Sequence, residues 1–221
     1  MKKIAVVILN WNGRKLLEEF LPSIVNFSKE ATIYVADNAS TDDSISFVKN
    51  NFPSIKIIQN TNNFGFAKGY NQALRFVEEE YYALVNSDIE VTENWLSPII
   101  ELFDSQAKVA IIQPKILDYK KKTHFEYAGA AGGFIYSFGF TFCLGRIFNH
   151  LEEDLNQYDT NIPVFWASGA AFFIKSKVWK EVGGLDADLF AHMEEIDLCW
   201  RLKNKGYKVV CCTSAEVYHV G

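Results

Sequence analysis

A chain of 221 residues, 49% hydrophobic and 22% charged, can bury a core without disulfide or metal staples, as one large domain or two small lobes. Its net charge of -5 speaks against wrapping nucleic acid, and a small anionic ligand would need local help from a metal ion or basic side chains. The four cysteines, Cys143, Cys199, Cys211 and Cys212, form no C-x-x-C pair and read as reduced core thiols of a cytosolic compartment. The apolar run after Lys3 is too short for a signal-peptide core or a membrane span.

In chain order, residues 4–9 predict a buried strand, followed by the turn Asn10-Trp11-Asn12-Gly13. Leu16, Leu17, Phe20, Leu21 and Ile24 recur at helical spacing and predict a helix over 14–27, which Pro22 should kink or interrupt. A second strand over 32–36 ends in Asp37-Asn38-Ala39-Ser40-Thr41-Asp42. Thr41 or Asp42 can cap a helix through about residue 51, and 55–58 form a short third strand. The loop 60–66 leads into a predicted helix over 67–79. Tyr82-Ala83-Leu84-Val85 then reads as a strand buried on both faces, ending in Asn86-Ser87-Asp88.

This alternation implies a parallel sheet with right-handed crossovers, whose strands share one carboxyl edge. Asn10-Trp11, Asp37, Asn63-Phe64-Gly65 and Asp88 then face one crevice, where open α/β sheets bind ligands. Asp37 reads either as a cap or as a contact to a ribose or base, Lys68 as a solvated residue or a phosphate contact, and Asp88 as a turn former or a ligand-binding acid. Neither G-x-G-x-x-G nor G-x-x-x-x-G-K-[ST] is present, so phosphates must be held another way. Mg²⁺ or Mn²⁺ is the economical answer, because such ions use one or two protein carboxylates together with the substrate's own phosphates.

Further on, a helix over 94–104 and a strand over 109–113 precede a polar, basic stretch, 115–122. Residues 127–145 then carry no charge and five glycines. They make a poor membrane span and predict a glycine-rich loop, either packed as core or touching a lipid-linked or otherwise apolar partner. A strand over 170–174, a helix over 176–182 and the exit turn Gly183-Gly184-Leu185-Asp186 follow. Glu194-Glu195-Ile196-Asp197 opens a helix that Gly206 stops, its three early acids explained in part by the macrodipole. A last strand covers 208–212, and His219 comes after it.

The set I-L-N-W-N-G, A-D-N-A-S-T-D-D-S, N-F-G-F-A-K-G-Y-N, L-V-N-S-D, S-G-A-A-F-F-I, G-G-L-D-A-D-L-F and E-E-I-D-L-C-W-R resembles the family-two, inverting glycosyltransferases of the GT-A fold, especially their rhamnosyltransferase-like branch. The resemblance implies an α/β fold with a Rossmann-like, mostly parallel central sheet flanked by helices and a smaller acceptor-side region. The nucleotide-sugar half would cover about 1–115, and the acceptor and base half about 116–221. It implies that Leu9, Asn10, Trp11, Asp37, Asn63, Lys68, Asn86 and Ser87 bind a uracil or thymine nucleotide. Asp88 resembles the metal-binding acid of the D-x-D motif, here N-x-D, and His219 a late histidine completing the Mn²⁺ or Mg²⁺ or diphosphate site. Glu195, with Glu194 beside it, matches the position of the catalytic base. Trp166, Ser168, Gly169 and Asp186 would line the sugar and acceptor side.

The expected partners are a nucleotide-sugar donor and a glycan or lipid-linked acceptor, with peripheral contact at the cytoplasmic face of a membrane. The chain is expected to continue past Gly221 in the natural protein. A nucleotidyltransferase would need a basic, glycine-rich loop after the first strand. A non-catalytic nucleotide-sugar binding module would bind donor without transfer, and an oxidoreductase would need the missing dinucleotide signature.

Overall fold

The computed structural model describes residues 2–189 and 192–221. The first half alternates as the apolar runs predict: β1 (Ile4–Asn10), α1 (Arg14–Phe27), β2 (Ala31–Asp37), α2 (Ser44–Asn51), β3 (Lys56–Gln59), α3 (Gly65–Ala73) and β4 (Tyr81–Asn86). Then come β5 (Ile89–Val91), α4 (Ser97–Ser105) and β6 (Val109–Asp118), followed by two small hairpins, β7 (Gly133–Ile135) with β8 (Thr141–Cys143) and β9 (Arg146–Ile147) with β10 (His150–Leu151). β11 (Ile162–Val164), β12 (Ala171–Lys175), α5 (Ser176–Val182), α6 (Glu194–Asn204) and β13 (Lys208–His219) complete the described chain.

The main sheet runs β11-β13-β6-β12-β4-β1-β2-β3, with β5 added on β13. β1 to β4 are mutually parallel. β12 is antiparallel to both β4 and β6, β13 is parallel to β6, and β11 and β5 are antiparallel to β13. Followed through these pairings, β1, β2, β3, β4, β6 and β13 point one way and β5, β11 and β12 the other. The sheet is mostly parallel, as expected.

Side chains alternating across each strand feed two cores. Ile4, Val6 and Ile8 of β1 join Leu17, Leu21 and Ile24 of α1, Val48 of α2 and Ile99 and Phe103 of α4. Ala5 and Val7 join Tyr70 of α3, Trp179 of α5 and Leu198 and Leu202 of α6. Helices therefore cover both faces, and the strands' carboxyl ends stay open. The Tyr70 hydroxyl donates to the Val85 carbonyl at 3.1 Å, tying α3 to β4 just below that edge. α6 descends from the edge, and β13 climbs back to it.

Several boundaries differ from the sequence reading. Pro22 does not interrupt α1, because the buried stripe of Leu17, Phe20, Leu21 and Ile24 outweighs the one missing hydrogen bond. α2 has Asp43 at its cap position, although Asp42 accepts the Ser44 N–H at 3.1 Å. α3 stops at Ala73 and tightens into a 3-10 turn, Leu74–Phe76, since Glu78, Glu79 and Glu80 would sit against the negative end of a longer helix. α4 starts at Ser97, with Pro98 in its first turn and Asn94 left-handed at φ 60°. β6 runs past residue 113 to Asp118, into the polar, basic stretch, because buried Lys115 is neutralised by Asp154 and by Glu216 at 3.3 Å.

β13 does not end at Cys212. A bulge between Cys212 and Glu216 lets it run on to His219, which is therefore part of the last strand. The charge-free stretch forms the β7–β8 hairpin in place of a plain loop. Among the described residues, no helix is long and apolar enough to cross a membrane. Phe190, which ends the motif G-G-L-D-A-D-L-F, lies outside the described residues.

Candidate active site

At the open edge Asn10 and Asp37 are paired in register. Asp37 is 1% exposed, and its carboxylate is held on several sides. Asn10 Nδ2 donates to Oδ1 at 3.0 Å, the Ser40 N–H donates to Oδ2 at 3.0 Å, and the Ser40 hydroxyl also donates to Oδ1. Asn12 ties the same loop down by accepting the Thr41 N–H at 2.7 Å. Next to it, Asn60 Nδ2 donates to Asn38 Oδ1 at 2.7 Å, and Asn38 Nδ2 donates to the Gly65 carbonyl at 2.9 Å. These amides fix the entry to α3.

The resulting hollow, about 290 Å³, is lined by Leu9, Asn10, Trp11, Asn63, Gly65 and Phe66. Trp11 is 57% exposed at its mouth. Lys68 is exposed, with its ammonium 4.8 Å from the Phe64 ring, and Asn63 Oδ1 accepts the Gly65 N–H at 3.0 Å. A larger hollow of about 630 Å³, lined by Lys2, Tyr34, Lys56 and Glu79, opens at the opposite, amino-terminal edge and reaches none of these groups.

Asn86, Ser87 and Asp88 leave β4 at the same edge, and the Asn86 N–H donates to the Ala170 carbonyl at 2.9 Å. β13 pairs with β5 so that His219 lies opposite Ile89. His219 Nε2 is thereby placed 3.3 Å from Asp88 Oδ1. On the other side of the ring, Glu126 Oε1 lies 3.4 Å from Nδ1, an ion-pair separation without hydrogen-bond alignment. Burial alone would raise the Asp88 carboxyl, but the hydrogen bond and charge of His219, helped by backbone N–H donors, hold it below the usual range. Burial alone would lower His219, yet Asp88 and Glu126 together push it up to about 9.

The third group stands where α6 begins. Glu194, Glu195 and Asp197 occupy its first turn, and Met193 before it is left-handed at φ 74°. Glu194 has the less exposed side chain, but Glu195 is set deeper in the protein's mass. Burial raises both carboxyls, and Glu195 reaches about 7, with the Glu194 charge adding to the effect and a backbone hydrogen bond opposing it. Each keeps one buried oxygen, Oε2, without a hydrogen-bond partner in the protein. A carboxylate in that condition is a ready proton acceptor.

Gly169 is the neighbour that lets Glu195 face the crevice. A Cβ there would lie 3.6 Å from the Phe66 ring and 3.8 Å from the Glu195 carboxyl carbon, so both side chains look onto the glycine. Because Ala170 bonds to Asn86, this carboxylate-bearing corner adjoins the Asn86–Asp88 turn. Buried Gln113 holds the loop, accepting the Ser168 N–H at 2.8 Å and donating to the Gly129 carbonyl at 2.9 Å. Trp166 donates from Nε1 to the Phe134 carbonyl at 2.9 Å. Gly133 lies flat on its indole, where any Cβ would come within 2.0 Å of a ring atom.

Leu9, Asn10, Trp11, Asp37, Asn63, Asn86, Ser87, Asp88, His219, Ser168, Gly169 and Glu195 are thus gathered along one edge. Asp186 stands apart: its carboxylate accepts the Asp188 N–H at 3.0 Å in an exposed turn. That turn lines a separate hollow with Asn71 and Arg201. Phe66, Gln113, Glu126 and the Asn38–Asn60 pair are site residues that sequence reasoning missed. The Asn-rich motifs hinted at the pair, but nothing in the sequence marked Glu126 or Gln113.

Comparisons with known proteins agree with this geometry. The family model described as Glycosyl transferase family 2 matches residues 5–183. The N-acetylglucosaminyl-diphospho-decaprenol L-rhamnosyltransferase of Mycobacterium tuberculosis (strain CDC 1551 / Oshkosh) is 23% identical over 98% of this chain and 75% of its own length. A low-salt glycan biosynthesis hexosyltransferase of Haloferax volcanii is 22% identical over 98% of this chain, which spans 66% of that protein. Among solved structures, a mannosyltransferase from Pyrobaculum calidifontis in complex with GDP-Man and Mn²⁺ superposes with a TM-score of 0.69 at 16% identity, over 99% of this chain and 56% of its own. GalNAc-T7 with UDP, GalNAc and Mn²⁺ gives 0.78 at 15% identity, over 98% and 43%. The fold is therefore GT-A. With the family match covering most of the sheet and the motifs lying in order along its open edge, the chain belongs to glycosyl transferase family 2.

Proposed function

We propose that this chain moves a sugar from a UDP- or dTDP-sugar to a hydroxyl of a glycan or lipid-linked acceptor in cell-surface polysaccharide synthesis, with inversion at the anomeric carbon. The observation that carries the reading is Glu195, a buried carboxylate raised to about 7 that faces Gly169 beside the Asn86–Asp88 turn. In the proposed step Glu195 takes the proton from the acceptor hydroxyl. The oxygen attacks the anomeric carbon, and the bond to the nucleoside diphosphate breaks as its electrons pass to the leaving phosphate. General base catalysis of this kind is worth roughly 10²- to 10⁴-fold. A single displacement inverts the centre.

Asp88 and His219 fit a divalent cation. Their Nε2 and Oδ1 atoms converge at 3.3 Å, as neighbouring ligands of one ion do, and they stand as a pair, since no group of three or more such side chains that could hold an ion occurs among the described residues. Such an ion, Mn²⁺ or Mg²⁺, would supply charge to offset that developing on the diphosphate. Asp37 and its amide frame would hold the base and ribose, with Trp11 at the mouth. Residues 1–115 would then form the donor half, and 116–221 the acceptor and base half.

The acceptor side supports an apolar partner. Tyr136 is 59%, Phe138 87%, Phe140 73% and Phe148 86% exposed, the first three at the tip of the β7–β8 hairpin rooted on Trp166 and Phe148 at the tip of the β9–β10 hairpin. Aromatic tips of this kind suit a lipid-linked acceptor presented at the cytoplasmic face of a membrane. A relative that uses a decaprenol-linked substrate supports the same reading.

The test is calorimetric titration of UDP and dTDP with Mn²⁺ or Mg²⁺ and then with chelator, on wild type and Asp88→Ala. Metal-dependent binding lost in the variant is expected, and the stronger nucleotide identifies the base. Undiminished binding in Asp88→Ala would refute the metal assignment.

A further inference from the structure

We propose that Glu126 is a positioning residue that sets which nitrogen of His219 is offered to the cation site; the inference rests on the metal reading above. Glu126 is only 3% exposed. It lies where the chain folds back on β6, its own N–H donating to the Ile116 carbonyl at 3.1 Å. One carboxylate oxygen, Oε2, is fixed by the Ala128 N–H at 2.7 Å, which points the other, Oε1, at His219 Nδ1, 3.4 Å away. Among the described residues no lysine or arginine pairs with it, so His219 is its one ionic partner. A buried carboxylate needs such a partner.

The two ring nitrogens of histidine do different work, and the partner of one decides the state of the other. An ionised carboxylate offers no proton, so its charge 3.4 Å from Nδ1 favours the form of the ring that carries a proton there. A cation that displaces the Nε2 proton then meets that nitrogen's lone pair on the side of Asp88, where the two side chains would share it. Removing an outer carboxylate of this kind typically weakens metal binding roughly 10- to 100-fold. The function accounts for a buried acid that the displacement chemistry itself does not use.

The experiment is Mn²⁺ titration at saturating UDP on wild type, Glu126→Ala, Glu126→Gln, His219→Ala and the Glu126→Ala/His219→Ala double variant. Glu126→Ala is expected to weaken Mn²⁺ by roughly 10- to 100-fold. Glu126→Gln has one carbonyl oxygen for two N–H groups, so with that oxygen kept on the Ala128 N–H its amide N–H faces Nδ1, and Mn²⁺ affinity should fall as in Glu126→Ala. In the His219→Ala background the Glu126→Ala change should cost nothing further. Wild-type Mn²⁺ affinity in Glu126→Ala, or an equal loss with and without His219, would overturn the proposal. Unchanged affinity in His219→Ala would instead overturn the ligand reading on which it rests. Ring ¹⁵N shifts of His219 with Mg²⁺ and UDP give a check that needs no substitution: Nδ1 protonated is expected, and Nε2 protonated overturns the proposal.

Discussion

Replacing Glu195 with Gln should make the protein inactive and, above neutral pH, more stable. The carboxyl is raised from 4.5 to about 7, chiefly by burial. Because the folded value lies above the unfolded one, the native state holds a proton that the unfolded chain releases across that window. Stability therefore falls as pH rises from about 4.5 to about 7, and it is flat above. At about 1.36 kcal/mol per pH unit, the loss between pH 5 and pH 8 comes to about 2.5 kcal/mol. Gln carries no titrating proton and escapes that loss. Urea unfolding at the two pH values should show the variant gaining about 2.5 kcal/mol on wild type in going from pH 5 to pH 8. Turnover should drop roughly 10²- to 10⁴-fold with donor affinity kept, and the wild-type rate should rise through about pH 7. A stability gap that does not change with pH would refute the raised carboxyl, and turnover at the wild-type rate would refute its role as base.

Three further substitutions probe the frame around it. Gly169→Ala should keep activity, since its Cβ meets Phe66 and Glu195 at ordinary contact distance, whereas Gly169→Leu should fill the gap and lower kcat by at least about 10-fold with little change in melting temperature. Asn60→Ala strips the bond to Asn38 and should cost about 1–3 kcal/mol in urea unfolding, with weaker donor binding as the loop before α3 loosens. Lys115→Met leaves Asp154 and Glu216 without their buried cation and should destabilise by about 3–5 kcal/mol; a loss below 1 kcal/mol would mean the pair is solvated.

The half of the site built on β1 to β4 was legible because each strand there is a local apolar run with a polar end, and parallel alternation forces those ends onto one edge. Asp37, Asp88 and the opening of α6 at Glu194 followed from that logic and from the motifs. The other half was less legible, because it depends on long-range pairing. Pro114 argues against an internal strand, yet β6 passes through it, since the bulge in β13 just beyond its partner Cys212 absorbs the irregularity. That same bulge carries His219 to Asp88, and no local pattern announces it. Nothing in the local sequence marks Glu126, which the fold closes over, and Asp186, read as a site acid, stands in an exposed turn that lines a separate hollow.

α6 and β13 together carry two of the proposed groups in one continuous segment, Glu195 at the start and His219 at the close. Opening that segment as a unit removes the proposed base and the histidine at once, while the proposed nucleotide edge built on β1 to β4 can persist. Hydrogen exchange should then find the amides of α6 and of late β13 opening with a common free energy and tracking the loss of turnover. Inactivation by heat or denaturant would pass through a species that still grips nucleotide but can no longer transfer, so donor binding and catalysis would part company before β1 to β4 come undone.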